Sequence, residues 1–98
     1  MQPIISIIIP TYNRAHLLGE TLNSIIKQTF TNWECIVIDD GPRDYTRELI
    51  NFYTTGDPRI KYFKRPETRV KGANSCRNYG CELSLGTYIN WFDDDDLM

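Results

Sequence analysis

No CxxC pair occurs in this sequence. Its three cysteines, Cys35, Cys76 and Cys81, are odd in number, and two of them lie five residues apart. That excludes a disulfide framework and a cysteine-based zinc site, and it points to free thiols in a reducing compartment. The one histidine, His16, has no second histidine and no cysteine near it in sequence to make up a metal-ligand set. No apolar run approaches the ~20 residues that a membrane-spanning helix needs. Met1-Gln2-Pro3 lacks the basic start of a secretory leader. The expected location is therefore the cytoplasm or the cytoplasmic face of a membrane. Neither GxGxxG after the first apolar run nor GxxxxGK[ST] is present, so the dinucleotide and P-loop fingerprints are both missing. A net charge of −2 gives no global attraction to nucleic acid or to anionic membranes.

What is present is the material of one small folded domain. The chain has 98 residues, 41% of them apolar and 24% charged, which excludes disorder as a class. Ile4 to Ile9 reads as a central parallel strand halted at Pro10, which cannot donate to a ladder. Thr11 to Arg14 is a polar loop, with Asn13 able to cap a helix. From Arg14 to about Gln28, Leu18, Leu22, Ile25 and Ile26 recur at helical spacing. Trp33 to Asp39 is a second buried strand, and a helix then runs to about Tyr53 with Leu49, Ile50 and Phe52 or Tyr53 inward. Ile60 to Phe63 alternates with lysines, as a strand near a sheet edge does. Ala73 to Leu83 is a helix with small residues (Ala73, Cys76, Gly80) suited to close packing. Tyr88 to Phe92 has the apolar composition of a strand buried on both faces. The order β-α-β-α-β-α-β predicts an α/β fold: a Rossmann-like, mostly parallel sheet with helices on both faces. The first strand should lie between the second and the last, with the third outside the second.

The last strand runs directly into Asp93-Asp94-Asp95-Asp96. Four adjacent carboxylates are either a solvated acidic loop or a helix start, or they hold a hard divalent cation such as Mg²⁺ or Mn²⁺. The second strand also ends in carboxylates, Asp39-Asp40, followed by Gly41-Pro42. This pair is either plain turn chemistry or a ligand contact. In open α/β sheets the ligand crevice lies outside the carboxyl ends of the strands. Pro10 to Asn13, Asp39-Asp40 and Asp93 to Asp96 all follow strands there. Tyr12 either packs on a helix or offers its face to a nucleobase, and Asp40 can accept from a base N–H. Arg77 either pairs with Glu82 or Asp44 or meets a phosphate. Seven basic residues lie between Arg59 and Arg77 (Arg59, Lys61, Lys64, Arg65, Arg69, Lys71, Arg77) against one acid, Glu67. At least half of them are expected to be solvated surface charges.

Four segments carry a resemblance. They are Ile7-Ile8-Ile9-Pro10-Thr11-Tyr12-Asn13-Arg14, Val37-Ile38-Asp39-Asp40-Gly41, Gly72 to Gly80, and Gly86 to Asp96. In that order and spacing the chain resembles family 2 glycosyltransferases of the GT-A fold. The resemblance implies a usually inverting transferase acting on a nucleoside-diphosphate sugar, a UDP-sugar being favoured, with a saccharide or lipid-linked acceptor and Mn²⁺ or Mg²⁺. It implies that Pro10 and Tyr12 line the base pocket and that Asp40 binds the base. Arg77 would sit near the nucleotide and Asp94 near the ribose or sugar. Asp95 would be the main metal ligand of the Asp93-x-Asp95 motif. Pro42-Arg43-Asp44 departs from the family's Gly-Ser-x-Asp. On this resemblance residues 1–98 are the nucleotide-sugar-binding half of a catalytic domain, ending just past the Asp-x-Asp motif. The acceptor half and the catalytic base are then expected beyond Met98, and self-association through the face they would cover is expected. The competing reading is a flavodoxin-like domain with Mg²⁺-assisted phosphoryl or regulatory chemistry.

Overall fold

The computed structural model of the chain describes residues 3–12, 15–41 and 46–92. Within them lie β1 (Ile5–Thr11), α1 (Ala15–Lys27), β2 (Trp33–Asp39), α2 (Thr46–Gly56), β3 (Ile60–Lys64), α3 (Ala73–Leu83) and β4 (Tyr88–Trp91). The four strands form one sheet in the order β3-β2-β1-β4, and every neighbouring pair is parallel. The expected arrangement, with β1 central and β3 outermost, is the observed one. It also disposes of the flavodoxin-like alternative, in which the third strand, not the fourth, would lie beside the first.

Alternation along β1 and β2 divides the core into two layers. Ile7, Ile9, Cys35 and Val37 pack with Leu18, Leu22 and Ile25 of α1 and Ile50 of α2. Ile8, Ile36 and Ile38 point the other way and pack with Cys76 of α3. Helices therefore cover both faces, as a sheet with apolar residues on both sides requires. Gly80 is what lets α3 lie close. A Cβ there would stand 2.5 Å from Ile8 Cγ2. Ala73, expected in the same contact, is exposed. Ile26 is also exposed rather than inward, because the buried stripe of α1 is completed by Thr21. On α2 the inward aromatic is Tyr53, while Phe52 faces solvent.

Two strand expectations need correction. β1 does not stop at Pro10 but continues to Thr11, with Pro10 opposite Ile38 and Thr11 opposite Asp39. Odd-numbered residues of β1 bond to β2; Asp40 N, for example, donates to Thr11 O at 2.8 Å. Even-numbered ones bond to β4, where Phe92 N donates to Ile8 O at 3.1 Å. The donor that Pro10 lacks would face β4 just beyond its last paired residue, Trp91. The ladder to β2 loses nothing. The second correction concerns β4, which is not buried on both faces. Tyr88 is 66% and Trp91 48% exposed, and only Ile89 packs into the α3 layer. α3 lies mainly over β1 and β2, so of the apolar side chains of β4 it covers Ile89 alone and leaves Tyr88 and Trp91 exposed.

Candidate functional site

Strand order creates the site. β1 leads through α1 to β2 on one side, and β3 leads through α3 to β4 on the other. The crevice between β1 and β4 at their carboxyl ends is the switch point where such sheets bind ligands. Pro10 and Tyr12 stand at the end of β1, and Asp40 is joined to it through Thr11. Phe92, hydrogen-bonded to Ile8, is the last described residue of the β4 segment. Asp93, Asp94 and Asp95 follow it in sequence and lie outside the described residues. So do Asn13 and Asp44.

The paired aspartates have different jobs. Asp39 accepts from Gly41 N at 2.9 Å and from the Tyr62 hydroxyl at 2.6 Å. The first contact is turn chemistry, binding a backbone N–H two residues on. Asp40 turns instead toward the basic loop. One carboxylate oxygen is paired with Arg65 Nε, and the other accepts from Gly72 N at 2.9 Å. Arg65 Nη1 also donates to the carbonyls of Pro66 and Arg69. One guanidinium thus splints the loop and fixes the carboxylate. Gly72 has φ +130°, a backbone conformation that side chains disfavour. Its carbonyl receives Cys76 N at 3.1 Å and opens α3. A carboxylate offers about four lone-pair positions, so these two bonds leave Asp40 capacity for a further donor.

Tyr12 is not packed away under a helix. It is 46% exposed, and Lys71 Nζ sits 4.7 Å from its ring centroid. That is cation–π range. The same loop with the start of α3 borders a cavity of about 620 Å³, lined by Arg69, Lys71, Gly72, Asn74, Ser75 and Asn78 among others. Arg77 is on α3, and its Nη1 donates to Asn74 Oδ1 at 3.2 Å. Glu82, a partner suggested for Arg77, is engaged by Arg69.

The seven basic residues are not mostly idle surface charges. Arg59 pairs with Asp57 and covers the Trp33 ring at 3.9 Å. Lys61 pairs with Glu34, Lys64 with the Gly41 carbonyl, and Arg65 with Asp40. Arg69 lies over Tyr79. A charge count along the chain is blind to partners that arrive from other strands. For the same reason the roles of Arg65, Gly72 and Lys71 around Asp40 and Tyr12 carried no spacing signal. Glu34 was missed as well. It is a carboxylate only 2% exposed inside a strand, and its position between Trp33 and Cys35 was the available clue.

The comparisons with known proteins agree with this fold. A family model described as glycosyl transferase family 2 matches residues 6–98. The chain belongs to that family. A curated relative, the GalNAc(5)-diNAcBac-PP-undecaprenol beta-1,3-glucosyltransferase of Campylobacter jejuni, is 37% identical over 98% of the chain and 31% of its own length. Staphylococcus aureus TarS 1-349 in complex with UDP-GlcNAc superimposes with TM-score 0.86. Identity is 31%, over 96% of the chain and 27% of TarS 1-349. The Pyrobaculum calidifontis mannosyltransferase PcManGT, in complex with GDP-Man and Mn²⁺, gives TM-score 0.82. Identity is 26%, over 99% of the chain and 29% of that protein. The family 2 chain described here spans 38% or less of the length of the curated relatives it matches. No helix among its described residues is long and apolar enough to cross a membrane.

Proposed function

We propose that this chain is the donor-binding half of an enzyme that moves a sugar from a nucleoside diphosphate to an acceptor hydroxyl, with inversion and with a divalent cation. What supports the reading is the sheet order, which sets the carboxyl ends of β2, β1 and β4 side by side, with Asp40, Tyr12 and the acidic run each following one of them in sequence. Tyr12 supplies a face for the base, a contact typically worth ~1–3 kcal/mol. Asp40, held by Arg65 and Gly72, accepts from an imide-type N–H, which uracil, thymine and guanine all present. Arg77 supplies positive charge toward the diphosphate. Asp94 serves the ribose or sugar, and Asp93 and Asp95 hold the cation. Their donor set fits Mn²⁺ or Mg²⁺, because carboxylate oxygens are hard ligands and such ions complete their shell from phosphates. When bound, the cation stabilises negative charge on the departing diphosphate. The chain's own residues bind and orient the donor. The UDP-GlcNAc complex of a 31% identical neighbour favours a uridine donor, and the undecaprenol-linked substrate in a relative's name favours a lipid-linked acceptor.

Calorimetric titration of UDP with and without Mn²⁺ tests this reading. Metal and nucleotide should raise each other's affinity by the same factor. Asp95→Ala should abolish that coupling. Asp40→Ala should weaken nucleotide binding and leave the coupling in place. Equal UDP affinity with and without Mn²⁺ in the full-length protein would remove the acidic run from the mechanism.

A further inference from the structure

β4 has too little buried side chain to choose its own register. Tyr88, Asn90 and Trp91 are exposed, and only Ile89 is half-buried. A strand with so little buried on either face is weakly specified, because a slip takes few apolar groups, here the half-buried Ile89 and the adjoining Phe92, out of the core. Its pairing is nonetheless defined, with Ser6 opposite Ile89 and Ile8 opposite Trp91. The constraint sits at the opposite end of the sheet from the candidate site. There Glu34 Oε2 accepts from Ser6 Oγ at 2.6 Å and from Leu85 N at 2.6 Å. Ser6 Oγ in turn accepts from Gly86 N at 2.8 Å. Ser6 is fully buried and Glu34 nearly so. Gly86 is pressed onto β1 so closely that a Cβ would lie 2.5 Å from Ser6 Oγ and 2.7 Å from Ser6 N. Lys61 Nζ holds the other Glu34 oxygen at 2.8 Å but touches neither Leu85 nor Gly86 through this network.

We infer that Ser6, Glu34 and Gly86 are positioning residues that set the height at which the chain leaves β4 toward Asp93–Asp96. With Leu85 and Gly86 tied down, Tyr88 N meets Ile4 O at 2.9 Å and Phe92 N meets Ile8 O. A slip of two residues, the smallest that keeps each side chain on its face, would move the acidic run by ~6.6 Å. Metal–oxygen bonds span only ~2.0–2.6 Å, so a run displaced that far could not serve the same cation. The inference rests on the proposed reading of that run as a metal site. The clasp itself is measured independently of metal.

The test compares Ser6→Ala, Glu34→Ala, Glu34→Gln and Lys61→Ala in the full-length protein by amide hydrogen exchange and Mn²⁺ titration. Ser6→Ala and Glu34→Ala should speed exchange at Tyr88 and Phe92 roughly tenfold more than at Cys35 and Asp40. They should weaken Mn²⁺ binding in step. Glu34→Gln keeps a carbonyl oxygen for Ser6 and Leu85 and should restore most of both readouts. It also stands in if Glu34→Ala does not fold. Lys61→Ala strips Glu34 of a charge partner but cuts no tie to Leu85 or Gly86, so any acceleration it causes should be no greater at Tyr88 and Phe92 than at Cys35 and Asp40. Acceleration spread evenly over the sheet in Ser6→Ala, or β4 loosened as selectively by Lys61→Ala as by Ser6→Ala, would overturn the clasp. Selective loosening of β4 without Mn²⁺ binding by any variant, wild type included, would overturn the metal reading and leave the clasp standing.

Discussion

Gly80→Ala should destabilise the fold although it places a better helix former in a helix. The added Cβ would stand 2.5 Å from Ile8 Cγ2, 3.4 Å from Ile8 Cδ1 and 3.5 Å from Ile38 Cγ1. Carbon atoms pack best at ~3.5–4.0 Å, so α3 would have to withdraw by about 1 Å or Ile8 would have to turn. Ile8 is fully buried on the central strand and packed with Ile36, Ile38 and Cys76. It has nowhere to go. Withdrawal of α3 would loosen the contacts of Cys76, Tyr79 and Leu83 with the sheet. Overpacking of this kind costs ~1–3 kcal/mol, offset by up to ~1 kcal/mol of helix propensity. The net loss should be about 1–2 kcal/mol. Urea unfolding reads it directly: with a slope of ~1–3 kcal/mol/M for small domains, the midpoint should fall by roughly 0.3–2 M. Gly56→Ala is the matched control. Nothing lies within 4 Å of a Cβ there, so it should be neutral or stabilising by up to ~1 kcal/mol. A Gly80→Ala midpoint at or above wild type would mean that α3 does not pack at this distance.

Three other outcomes are expected. Burial pushes the Glu34 carboxyl up, but the Leu85 amide, Lys61 and the Ser6 hydroxyl outweigh it and hold it below the usual 4.5. Its stabilisation is then complete above that value and lost as pH falls through the lowered one, so acid unfolding curves should flatten below pH 4.5 in Glu34→Gln. Cys35 and Cys76 are buried and Cys81 is exposed, all three unbridged. Burial, with the Asp40 charge behind it, pushes the Cys76 thiol up to about 11. A thiol reagent near neutral pH should therefore label Cys81 first and the other two only after unfolding, and labelling of Cys76 at the same rate would contradict its packing. Tyr12→Ala should weaken UDP binding by ~1–3 kcal/mol, whereas Tyr12→Phe keeps the ring and should cost far less. Equal losses in the two variants would assign the contact to the hydroxyl.

The layered α/β architecture was legible in the chain because its signals are local. Buried strands read as unbroken apolar runs, and α1 reads as Leu18, Leu22 and Ile25 on one stripe. The loops that hold Pro10, Tyr12 and Asp40 were legible for the same reason, since a strand's carboxyl end follows from its direction alone. The strand order expected from the alternation of buried strands and amphipathic helices is the observed one, β1 central and β3 outermost. What the tertiary structure alone decided were contacts between segments far apart in sequence. Asp39 and Asp40 are adjacent and chemically identical, yet one bonds Gly41 and the other reaches Arg65 and Gly72. β4 has the composition of a buried strand, but exposure depends on which elements cover it, and α3 lies mainly over its neighbours instead. The tie from Gly86 to Ser6 spans 80 positions. Periodicity reports which face of an element is apolar; it carries no information about which donor meets which acceptor once distant elements are brought together.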